Sequence, residues 1–132
     1  MSVIQELIDQ ATQKQLVEWA KDCALLSLQF FEHSDSTITK ALEACDLYQE
    51  DRMTVYEARQ IALALHAYAR EQTDIPYIYA LRALAHACAS IHVRSHAIHA
   101  MNYTNKSLKV QKKFKMSVID TEISMLQNII AL

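Results

Sequence analysis

A chain of 132 residues is long enough to form one domain that buries about two-thirds of its unfolded surface without a disulfide or metal staple. Apolar residues make up 52% of it, which excludes disorder, and it contains one proline, Pro76, and no glycine at all. Phosphate-cradling loops, dinucleotide fingerprints, nucleophile elbows and the tightest hairpin turns all rely on glycine, so the reading that remains is all-α: a single domain over 1–132.

The net charge of −2 conceals a split. Residues 1–66 carry eleven acids against five Lys/Arg, a balance of −6, and residues 67–132 carry four against eight, a balance of +4. Two solvated faces of one bundle would account for this, and so would a charged surface for a partner.

Taken in order, Ser2-x-x-Gln5 reads as a capping box for a short helix with Val3, Ile4, Leu7, Ile8 and Ala11 on one side. Thr12-x-x-Gln15 opens a longer helix to about Phe31, whose face Leu16, Trp19, Ala20, Cys23, Leu26 and Phe30 places the tryptophan in the core. A turn around His33-Ser34-Asp35 ends it, and Ser36 can cap a third helix buried through Ile38, Ala41, Leu42, Cys45 and Tyr48. Thr54-x-x-Glu57 opens a helix over 54–71.

Asp74 and Pro76 form the next helix start, because a proline in the first turn gives up an N–H that no helix bond would use. That helix runs to about Ile91, with Leu81, Leu84, Cys88 and Ile91 as its large residues and alanines filling the rest. A turn at His92-Val93-Arg94-Ser95 leads, with Ser95 as cap, into a helix to about Lys109; a last helix covers about 111–131. Six or seven short-looped helices should pack as a compact bundle, mostly antiparallel between neighbours.

Cys23, Cys45 and Cys88 lie on apolar faces at no metal-binding spacing, as buried thiols of a reducing cytoplasm do. MSVIQELIDQ lacks the basic start and apolar run of a signal peptide, and no run of 18 apolar residues occurs. The expectation is a cytoplasmic protein with no membrane span. Surplus apolar residues in the terminal helices would permit a homodimer.

The chemistry-bearing residues concentrate between 58 and 106. Arg59, His66 and Arg70 share one helix face, and Arg82, His86 and Ser90 another. These stripes could converge on an anion, or pin neighbouring helices through hydrogen bonds. His92, His96 and His99, extended to Tyr103, have helical zinc-ligand spacing, but no Glu stands between them as a metalloprotease motif needs, so no metal and no cofactor is expected. Lys106, Lys109, Lys112, Lys113 and Lys115 read as solvated surface, and nucleic-acid binding is not expected. No serine or cysteine shows a recognisable base and orienting acid, so no catalytic residue is assigned. The binding candidates are His66, Arg70, Arg82, His86, His92, His96 and Tyr103.

The order WAKDCALLSLQFFE, ALEACDLY, EARQIALALHAYAR and ALRALAHACASIHVRSHAIHAMNY resembles a family of small all-helical bacterial immunity proteins of polymorphic toxin systems. The resemblance covers about 14–109. It is most specific at His66-Ala-x-Ala-Arg70, at Arg82-x3-His86, and at His92-Val93 followed by His96 and Tyr103. One departure is Ala85 before His86, where the family commonly has glycine. The resemblance implies a protector that binds a cognate protein toxin made by the same cell and has no catalysis of its own. The acidic residues Glu43, Asp46, Glu50 and Asp51 could then face a basic toxin. The competing reading is a small-ligand- or metal-binding helical enzyme using the His/Arg cluster.

Overall fold

Three-four apolar alternation along the chain becomes seven α-helices, with no strand among the described residues, 2–32 and 34–132 of the computed structural model. They are α1 (Val3–Gln10), α2 (Gln13–Leu28), α3 (Ser36–Gln49), α4 (Val55–Arg70), α5 (Ile75–Ala89), α6 (His96–Val110) and α7 (Met116–Ala131). The fold is all-α, as expected.

Capping chemistry explains where most helices start. Thr12 forms the full box: its side chain accepts from Gln15 N–H, and the Gln15 side chain accepts from Thr12 N–H. Ser2 and Thr54 each accept from the backbone three residues on; Gln5 turns to Asp9, and Glu57 accepts from the Thr54 hydroxyl instead. The cap of α3 is Asp35 and not Ser36, because the aspartate reaches Thr37 N–H. Asp74 and Ser95 hold the cap positions of α5 and α6 without a side-chain cap bond. His33, part of the expected turn before α3, lies outside the described residues.

Without glycine, two helices end through left-handed residues that carry a Cβ. Asp51 has φ 58° and Lys112 φ 61°. In both places the following residue bonds back across the turn, Arg52 N–H to Leu47 O at 2.9 Å and Lys113 N–H to Leu108 O at 2.8 Å, the Schellman pattern. The second of these delays the last helix to Met116, five residues past its expected start. Helix α2 stops at Leu28, before the expected Phe31, where 29–31 tighten into a turn.

Helix α5 is the hub, packing on α2, α3, α4 and α6. Its small residues make this feasible: Ala80, Ala83, Ala85 and Ala87 are fully buried and let four helices approach one rod. The alanine at 85 keeps that closeness. Helix α7 returns to α2 and α1. Trp19 is wholly buried and donates its indole N–H to Glu122 O of α7 at 2.9 Å, which ties the last helix to the second. Arg94, in the α5–α6 turn, donates to Ile8 O and Ala11 O at the end of α1. No helix among the described residues is long and apolar enough to cross a membrane.

Candidate functional site

Packing of α4, α5 and α6 brings the histidines together. The His86 ring is the centre, with His66 edge-on at 5.1 Å, His96 stacked at 5.1 Å, His99 at 5.4 Å and Tyr103 parallel at 5.2 Å. They come from three helices, His66 from α4, His86 from α5 and the rest from α6, so the cluster is a tertiary product of three faces. His86 Nδ1 and His96 Nδ1 lie 2.9 Å apart in a hydrogen bond. One ring must donate and the other accept, so the two share a single proton between those nitrogens. Both rings cannot be imidazolium while that bond stands.

Burial sets the charge state. Desolvation, then the positive charges of Arg82 and Arg70, lowers the His66 pKa; desolvation and the surrounding imidazoles push His86 down to about 3. His96 is lowered for the same reasons, burial first and then His99 and His92. All three shifts favour the uncharged imidazoles of His66, His86 and His96 at pH 7.

Beside it opens a groove of about 250 Å³, lined by Arg59, Ala62, Leu63, His66, Ala89, His92 and His96. His92 sits in the α5–α6 turn and has left the α6 face, yet it reaches the groove wall from the turn. Arg82 is half-buried, and its charge acts on His66 and His86. Arg70 is exposed at the end of α4 and does not line the groove. Of the seven binding candidates, five therefore meet around the cluster and groove (His66, His86, His92, His96 and Tyr103), with the two arginines placed to act on them by charge. His99 joins as well. Among the described residues no group of three His, Cys, Asp or Glu is arranged to hold a metal ion.

Nucleophile chemistry has little to work with. Burial pushes the Cys88 thiol up to about 12 and raises Cys23 and Cys45 well above the ordinary range. Ser27, Ser90 and Ser107 donate to backbone carbonyls.

Two further polar features stand apart. A cleft of about 410 Å³ is lined by Phe31, Glu32, Ser34, Asp35, Tyr68, Asp74 and Tyr77. Inside the fold, Glu122 of α7 is fully buried and accepts from Asn105 Nδ2 at 3.2 Å. Glu122 Oε2 and Asn105 Oδ1 are both buried without a partner. A protonated carboxyl would donate its O–H to that free amide oxygen and close an acid–amide pair, and burial duly lifts the Glu122 pKa to about 7. This pair escaped the sequence reading. Its signal was one acid three residues after Ile119 and four before Leu126, on the apolar face of the last helix.

Charge also distributes unevenly. Asp46 pairs with Lys21, Asp51 with Lys14 and Glu50 with Arg52, so three of the four carboxylates expected to face a basic toxin are engaged within the chain. No ion pair ties Arg59, Arg70 or Arg82 to a carboxylate among the described residues.

Fold and site together define a small all-helical domain whose imidazoles face one another and an open cationic groove. The chain belongs to the Imm-5 like putative immunity protein family, whose model it matches over residues 6–128. No curated protein and no solved structure matches it.

Proposed function

We propose that the protein is an immunity protein of a bacterial toxin system, which binds a cognate toxin in the cytoplasm and neutralises it without catalysis of its own. The observation that carries this reading is the family match over nearly the whole chain. The site supports it: hydrogen-bonded, neutral imidazoles and protonated thiols suit a rigid scaffold, and uncompensated arginines at the rim suit recognition. A binding protein needs a stable frame and a face for its partner, and the packed helices with an exposed Arg59 beside the groove support that reading.

Expressing a candidate toxin domain, sought among the genes beside this one, with and without this chain tests the reading. Toxin alone should arrest growth, co-expression should restore it, and the two proteins should copurify. Continued arrest with the chain well expressed would overturn the proposal.

A further inference from the structure

Residues 75–119 contain seven Lys/Arg and no Asp or Glu. Helices α5 and α6 and their turn therefore bring positive charge to this side of the molecule with nothing of opposite sign in their own sequence. Helix α4 adds Arg59 from across the groove. Four of these cations are occupied: Arg94 holds the α1 carbonyls, Lys106 lies 4.8 Å over the Tyr103 ring, Lys109 4.8 Å over Phe114, and Lys113 4.3 Å over Phe30. Lys112 and Lys115 follow the end of α6 and do not line the groove, whereas Arg59 lines it and the charge of Arg82 reaches His66 in its wall.

The groove's shape narrows the occupant. Ala62, Leu63 and Ala89 contribute an apolar lining, while Arg59, His66, His92 and His96 supply donors. An apolar lining with charged donors suits a side chain with a methylene stem and a carboxylate end. A nucleic acid would want a continuous track of cations and free aromatic faces for its bases; here the lysines already cover the rings of Phe114, Phe30 and Tyr103.

We propose that the groove between α4 and the α5–α6 turn receives a glutamate or aspartate side chain of the toxin; this rests on the immunity reading above. The carboxylate accepts from the Arg59 guanidinium and from ring N–H groups of His66 and His96, with Arg82 adding its field from behind. Burial is the main cause that keeps these imidazoles uncharged, and an arriving negative charge beside them opposes it, so binding draws protons onto them.

The probe is N-acetyl-tetraglutamate amide, titrated at pH 7 into the full chain and followed through the histidine ring nitrogens by NMR. The expected result is a saturable shift of His66 and His96, with Arg59→Gln raising the apparent dissociation constant about tenfold and Arg59→Lys raising it less. Arg59 is exposed, so its variants should keep the wild-type melting curve. No shift, an equal shift in Arg59→Gln, or a shift given by dodecathymidylate and not by the peptide overturns the proposal. If the double variant Arg59→Gln/Arg82→Gln, folded, still restores growth against the toxin as wild type does, the groove proposal falls and the immunity reading stands. If wild type itself fails to restore growth, the immunity reading falls, and this partner with it.

Discussion

Helix α6 borders two polar clusters that obey one rule with opposite signs. On one side Asn105 meets the buried carboxyl of Glu122; on the other His96, His99 and Tyr103 close on His86. Desolvation disfavours charge in both, so it raises the acid and lowers the bases. The difference lies in closure. The acid–amide pair is sealed between α6 and α7 and holds them together, whereas the imidazole cluster opens onto a groove lined by Arg59 and stays accessible.

The comparison can be broken most forcefully at the seal. Trp19→Ala removes a fully buried ring and the indole bond to Glu122 O, and should cost about 3–5 kcal/mol in chemical denaturation. A loss under 1 kcal/mol would show that α7 is held elsewhere.

Glu122→Gln sharpens it next. A raised folded pKa gives stability that is complete below the unfolded value of 4.5 and is lost as pH rises through about 7. Glutamine can pair with Asn105 at every pH. Denaturation at pH 5 should find the two proteins alike, and at pH 8 the variant should be the more stable, by on the order of 3 kcal/mol. Parallel pH profiles would contradict the sealed acid.

The histidines should supply the opposite limb. Their folded pKa values lie below the unfolded 6.5, so stability is complete above that pH and falls as pH drops toward about 3. His86→Phe should flatten this acid limb by about 2 kcal/mol after allowance for solvent screening, at a cost of about 1 kcal/mol at pH 7 for the bond lost to His96. Melting at pH 4.5 and 7 reads both effects. The smallest effect belongs to Lys112→Gly, which relieves a Cβ in the left-handed region and should stabilise by about 0.5–1 kcal/mol, outside both clusters.

Much of this was readable from residue spacing. The capping boxes, the tryptophan core position, the buried thiols and the alanine-rich central helix all follow from local chemistry and three-four alternation. Helix ends were less legible: nothing local marks Lys112 as left-handed, since its conformation is imposed by the bond from Lys113 back to Leu108. The site divided in the same way. Spacing found the His66 and His86 stripes, but only tertiary packing turns His86, His96, His99 and Tyr103 onto one another, and only it pairs Asn105 with an acid 17 residues away. The turn takes His92 out of the α6 stripe, yet places it on the groove wall from a different element.

In the proposed complex the open cluster is the recognition face and the sealed one is scaffold. Amide hydrogen exchange on the free chain and on its complex with the toxin tests this most directly. The account predicts new protection around residues 59–66 and 92–99, with exchange in α7 unchanged. Protection confined to the tyrosine-lined cleft around residues 31–35 and 74–77, or to α3, would contradict it.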